Sequence, residues 1–187
     1  ARFFRSIGSD LVVYIPDRLK EGYGPNAPAL LKLKQQGVGV AITVDCGITA
    51  HQPLQAAREA GLDVLVIDHH VGELALPPAV AVVDPNRLDE ASPHRQLAAV
   101  GVAFLLAVGV NRALRQAGWY ASSRPEPDLK DLLDLVALGT VADVVPLTGV
   151  NRALVRQGLE VLGRRGNVGL AALADVAGIK QAPEAYH

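Results

Sequence analysis

The chain has 187 residues, half of them apolar, with 18 basic against 19 acidic side chains and a formal charge of −1. That length suits one domain able to bury a real core. The near-neutral balance carries no whole-chain signature of a polyanion partner, although a basic cleft can sit inside a neutral domain. A single cysteine, Cys46, excludes an internal disulfide framework and suits a reducing compartment, so a cytoplasmic location is expected. No apolar run reaches the ~18–20 residues that cross a membrane, and no secretory signal is visible. Methionine is absent, even at position 1, and Ala1-Arg2-Phe3-Phe4 already reads as structured. A fragment of a longer polypeptide is therefore expected.

Taken in chain order, Leu11 to Ile15 is a short β-rich run ended by Pro16-Asp17. Asn26 to Gln36 carries Leu30, Leu31 and Leu33 at helical spacing and stops at Gly37. Val38 to Val44 is apolar and partly β-branched, the pattern of a strand buried on both faces. Thr49 is placed to cap a helix running to about Ala60 and ending at Gly61. Asp63 to Ile67 and Ala79 to Val83 read as further strands, the second closed by Asp84-Pro85-Asn86. From Arg95 onward the pattern is nearly all helical, with helices over Leu97–Gln116, Leu129–Leu138 and Asn151–Leu162. Leu97 to Val110, the richest apolar stretch, reads as a buried core helix. Gly118 to Pro127 is the expected flexible loop. Strand–helix–strand units of this kind imply right-handed parallel crossovers. The expected fold is α/β, a mostly parallel open sheet with helices on both faces plus a helical C-terminal third. Residues 1–187 form one domain in this reading, sheet-rich over about 1–94 and helical over about 95–187.

Ligands of open parallel sheets bind beyond the carboxyl ends of the strands. Two expected strands run into acids there: Val38–Val44 into Asp45, and Val64–Ile67 into Asp68, followed at once by His69 and His70. Turn or capping roles would account for either acid alone. Two adjacent histidines directly after a buried strand are harder to explain that way, because the strand delivers them to a fixed place, as a metal site requires. Carboxylates mixed with imidazoles suit Mn²⁺ first and Mg²⁺ second, with Zn²⁺ less suited in the absence of thiolates. Cys46 reads as a small buried residue at the strand end rather than a nucleophile. A third acid, Asp143, falls inside the apolar run Gly139 to Leu147, where an unpaired carboxylate would be costly. Either a metal or a hydrogen-bonded loop would supply its partner.

Together these residues resemble a known family. Val44-Asp45-Cys46-Gly47-Ile48, Asp68-His69-His70 and Gly139-Thr140-Val141-Ala142-Asp143 are similar to the second, third and fourth motifs of the DHH phosphoesterase superfamily, in the right order. Tyr14-Ile15-Pro16-Asp17-Arg18, Glu21-Gly22-Tyr23-Gly24, Asp84-Pro85-Asn86 and the helix around Ala99 to Phe104 resemble the RecJ nucleases within it. The likeness covers essentially the whole chain. The superfamily's first motif, an Asp-x-Asp loop, would fall before Ala1, and its second, glycine-rich domain after His187, so weak or no activity is expected of this piece alone.

The resemblance implies a metal-dependent phosphodiesterase that degrades single-stranded DNA from 5′ to 3′ and releases mononucleotides in DNA repair and recombination. It implies a two-metal site using Mn²⁺ or Mg²⁺, with Asp45 able to bridge both ions and His69 and Asp143 as further ligands. His70 matches the position that contacts the phosphate, Asp68 would orient an imidazole, and Arg18 is a candidate phosphate or nucleotide contact alongside a plain loop salt bridge. Arg152, Arg156, Arg164 and Arg165 read as an ordinary solvated surface. Single-stranded DNA, single-strand-binding protein and a helicase are the implied partners, with no membrane. Two other readings stand beside this one: a DHH phosphodiesterase or pyrophosphatase acting on short oligonucleotides, cyclic dinucleotides or pyrophosphate, and a non-catalytic RecJ-like scaffold in replication.

Overall fold

The computed structural model describes residues 1–179, 181 and 183–186. Its elements run α1 (Arg2–Ser6), α2 (Arg18–Glu21), α3 (Ala27–Gln35), β1 (Val40–Val44), α4 (His51–Glu59), β2 (Asp63–Ile67), β3 (Ala81–Val83), α5 (Ala99–Gln116), a 3₁₀ turn (Leu129–Leu132), α6 (Leu133–Ala142), α7 (Gly149–Gly163) and α8 (Val168–Val176). The chain divides into two compact units, residues 12–95 and residues 1–11 with 96–187. Residues 1–11, grouped by the sequence pattern with the sheet, belong to the helical unit. Among the described residues no helix is long and apolar enough to cross a membrane.

The unit of residues 12–95 is built on a three-stranded parallel sheet in the order β1-β2-β3. Val64, Val66 and Val82 point to the face where α3 and α4 bring Leu30, Leu54 and Ala57, and Ile48 and Leu62 complete this core. Leu54 and Val66 are wholly inaccessible, and emptying a site like Leu54 to Ala costs about 2–5 kcal/mol. Asn26 caps α3 by accepting from Ala29 N, and Gly37 at φ +87° turns the chain out of that helix into β1.

Three expectations are corrected here. β1 is half-buried rather than buried on both faces, with Val40 and Val44 exposed, because they point to the face opposite the one that α3 and α4 cover. Val12 to Ile15 is exposed and forms no strand, since β-branched residues hold an extended ladder only where a partner strand accepts it. Thr49 does not cap α4: Ala50 holds that position without a side-chain bond, and His51 N donates to the Thr49 carbonyl instead.

The second unit is helical. Phe3 and Ile7 bury against Ala107, with Val110, Leu114, Leu129 and Leu132 packed around them. Helices α6 and α7 touch at Gly158, where an added Cβ would lie 2.1 Å from the Leu133 carbonyl oxygen and 2.5 Å from Ala137 Cβ. The Gly118–Pro127 stretch is tied down by its own contacts. Ala121 and Arg124 form an isolated bridge, the Arg124 guanidinium lies 4.0 Å above the Trp119 ring, and Glu126 pairs with Arg115.

Candidate metal centre

Val44, Ile67 and Val83 are in register across the sheet, so the residues that follow them, Asp45, Asp68 and Asp84, form one row of acids at its carboxyl edge. The ladder extends into that row, with Asp45 N bonded to Ile67 O at 2.9 Å and Asp68 N to Val83 O at 3.1 Å. Asp45 adopts φ +64°, a left-handed conformation that the short polar side chain of Asp tolerates. Gly47 is obligatory two residues on. It sits at φ +118°, and a Cβ there would meet Thr43 Oγ1 at 2.8 Å and Val66 at 3.2 Å.

Each acid in the row has a different environment. The Asp45 carboxylate is largely exposed, and its Oδ1 lies 3.3 Å from His69 Nε2. Asp68 is completely buried. Its Oδ2 accepts from Ile48 N at 3.0 Å, and its Oδ1 accepts from His69 N at 2.8 Å and from His70 Nδ1 at 2.7 Å. A buried carboxylate bonded in this way fixes the ring plane of His70 and turns its Nε2 outward. Asp84 is 4% exposed. Burial pushes its carboxyl above the ordinary range and the neighbouring Asp68 adds to this, while the bond from Asn86 N opposes it.

One ligand atom each from Asp45, His69 and His70 lies within 4.8 Å of the others. That oxygen–nitrogen set fits a divalent ion of the Mn²⁺ or Mg²⁺ kind. Cys46 stands beside it with its thiol against the Val44 carbonyl, 3.5 Å away. Burial pushes that thiol up, Asp68 and Asp45 push it further, and it is held protonated.

Arg18 belongs to the same unit, placed at the start of α2 by Asp17, which caps that helix. Its guanidinium carbon is 5.1 Å from the Tyr23 ring centroid. Tyr23 donates its hydroxyl to the Asp45 carbonyl at 3.1 Å and presents its ring edge-on to His70, with centroids 6.5 Å apart. Glu21 organises this stretch, accepting from Asp17 N, the Tyr14 hydroxyl and Asn26 Nδ2. The Tyr14 bond is the main cause holding its carboxyl below the ordinary range. Neither Tyr23 nor Glu21 was given a role from sequence, although both lie in the quoted Glu21-Gly22-Tyr23-Gly24 motif.

Asp143 lies in the helical unit. It is exposed at the C-terminal end of α6, so the desolvation argument made for it from sequence does not apply. What distinguishes it is its position at the negative end of a helix, followed by Val144 at φ +57°, a strained conformation for a β-branched residue. Asn151, wholly buried, ties down the segment that follows, donating to Pro146 O at 3.0 Å and Gln96 O at 2.6 Å. Arg152, Arg156, Arg164 and Arg165 are exposed, and Arg165 pairs with Asp175.

An open parallel α/β sheet that gathers acids and imidazoles at its carboxyl edge defines a class, an α/β domain with a candidate divalent-metal site where such sheets bind their ligands. The particular family follows from comparison: the model of the DHH family, N-terminal domain, matches residues 1–140, and the chain belongs to that family. It is similar to the single-stranded-DNA-specific exonuclease RecJ of Dickeya dadantii, 43% identical over 176 residues, which covers 92% of this chain and 31% of that protein. Against the Bacillus subtilis protein of the same name the identity is 41% over 174 residues, 93% of this chain and 20% of that one. A crystal structure of exonuclease RecJ bound to manganese superimposes with a TM-score of 0.80 at 36% identity, covering 98% of this chain and 44% of that one. RecJ from Thermus thermophilus in complex with Mn²⁺ gives 0.73 at 34% identity, covering 95% of this chain and 24% of that one. The chain thus spans a third or less of the curated relatives it is compared with here.

Proposed function

We propose that residues 1–187 are part of the catalytic DHH domain of a metal-dependent 5′-to-3′ exonuclease that releases mononucleotides from single-stranded DNA during repair and recombination in the cytoplasm. The observation that carries the reading is the convergence of Asp45, His69 and His70 at the sheet edge above the buried Asp68. Likeness to RecJ proteins, two of them crystallised with manganese, supplies the substrate and the metal. Single-strand-binding protein and a helicase are the partners this activity calls for.

Asp45, His69 and Asp143 would be the metal ligands. When bound, Mn²⁺ (or Mg²⁺) supplies an activated water and offsets charge at the scissile phosphate. His70, its Nδ1 committed to Asp68, offers Nε2 to a phosphate oxygen and stabilises negative charge developing there. Asp68 holds that ring in one orientation throughout. Arg18, beside Tyr23, is a cation placed to take a phosphate of the strand.

The test is Mn²⁺-dependent hydrolysis by the longest obtainable form of the protein, offered single-stranded DNA, duplex DNA, dinucleotides and pyrophosphate side by side. Mononucleotides released preferentially from the single strand are the expected result. Turnover of the small substrates alone would move the chain to another DHH activity, and silence on all four would favour a scaffold.

A further inference from the structure

We propose that Asn86 is a positioning residue for His69, acting on its backbone rather than on its ring; this rests on His69 being a metal ligand, as above. The peptide groups on both sides of the His69 Cα are pinned. Its N–H is taken by Asp68 Oδ1 at 2.8 Å, and its carbonyl accepts from Asn86 Nδ2 at 2.6 Å. With both peptide planes fixed, only the side-chain torsions remain free, and the ring ends 3.3 Å from the Asp45 carboxylate.

Asn86 is itself held at three points. Its backbone N–H donates to Asp84 Oδ1 at 2.7 Å, and its second amide contact goes to Arg95 O at 3.1 Å. Asp84 follows β3 in the same row of strand ends as Asp45 and Asp68. The clamp therefore refers His69 back to the sheet through a second strand, independently of Asp68. The amide nitrogen suits the place because both contacts are carbonyl oxygens and its two N–H groups can serve one each. The neighbouring Arg87 ties the same turn to Val82 O at 2.9 Å by a separate bond, which makes it the matched control.

Mn²⁺ binding is measured without substrate, by the loss of the free-ion electron paramagnetic resonance signal on titration, for wild type, Asn86→Ala and Arg87→Ala, alongside thermal unfolding. Outer-shell partners of metal ligands typically contribute about 10–100-fold in affinity. The Asn86→Ala midpoint should rise by roughly tenfold or more, excess Mn²⁺ should restore the rate, and Arg87→Ala should lose thermal stability with its midpoint unmoved. A wild-type midpoint in Asn86→Ala overturns the proposal. So does an equal rise in both variants, which would reduce Asn86 to general support of the turn. Absence of Mn²⁺ binding by the wild type is a separate result: it overturns the metal reading itself, and this inference with it.

Discussion

The two units bring their candidate ligands to the surface by different means. In the sheet-rich unit, three strands in register end in Asp45, Asp68 and Asp84, and backbone ladders fix where each acid lies. In the helical unit, Asp143 hangs on the last turn of α6, held by the helix end and by a segment that the buried Asn151 straps down. A sheet edge can supply several ligands from separate strands, because neighbouring strands lie only about 4.8 Å apart. A single helix end supplies one. The sheet-rich unit therefore gathers a cluster of candidate ligands at one edge, whereas the helical unit presents the candidate Asp143 at a helix end.

The sharpest way to break this comparison is to remove one ligand from each unit. His69→Ala should lower Mn²⁺-supported hydrolysis by more than the roughly 10–100-fold that outer-shell changes cost, while leaving the unfolding temperature near that of wild type. Asp143→Ala should abolish the same activity without unfolding the protein. A wild-type rate in either variant removes that residue from the ligand set. If only Asp143→Ala kept its rate, the helical unit would hold no ligand at all.

Asp68→Asn tests the support beneath the site. The amide can still accept on one oxygen, but its nitrogen would face either Ile48 N–H or the donors of His69 and His70. A rate loss of about 10–100-fold, with KM for DNA little changed, is the expectation. Loss confined to KM would instead make Asp68 a contributor to substrate binding. On the helical side, Gly158→Ala should destabilise by about 1–3 kcal/mol through overpacking against Leu133 and Ala137. Thermal unfolding reads this directly, and the Mn²⁺ midpoint below the transition should not move. A shifted midpoint would mean that α6–α7 packing matters to metal binding and not to stability alone.

What the sequence disclosed follows the same division. The apolar strands ending in Asp45 and Asp68-His69-His70 were legible because each is a continuous apolar run up to its acid and alternation with helices forces parallel crossovers. Asp84 was read as a turn residue, since its place in the row depends on the register of β3, which no local pattern encodes. Asn86 was invisible as a clamp because its partners lie 17 and 9 residues away in sequence. Val12 to Ile15 misled in the other direction: β-propensity is a fitness for a half-buried pleated surface, and these residues are exposed. Asp143 was expected in a buried setting and is exposed. An apolar run around a carboxylate says nothing about where the helix stops, and α6 stops there, leaving Val144 88% exposed.

The smallest effect concerns Asp84, whose Oδ2 is buried and meets no hydrogen-bond donor among the described residues. Burial raises its carboxyl above the ordinary range, so the folded state favours the protonated form. The stability this contributes is fully present below the unfolded-state pKa and is lost as pH rises through the higher folded-state value. As the side chain ionises with rising pH, its buried charge therefore opposes folding. Asp84→Asn keeps an oxygen for Asn86 N and removes the charge. In the presence of a chelator it should unfold a few degrees above wild type at pH 7, given about 2–4 °C per kcal/mol for a chain of this size. The gain should shrink steadily as the pH falls towards the ordinary carboxylate range. A gain that persisted unchanged in acid would trace to packing rather than charge, and no gain at pH 7 would mean that solvent already satisfies the second oxygen. In that case the row of strand-end acids holds two solvated members, with Asp68 alone desolvated.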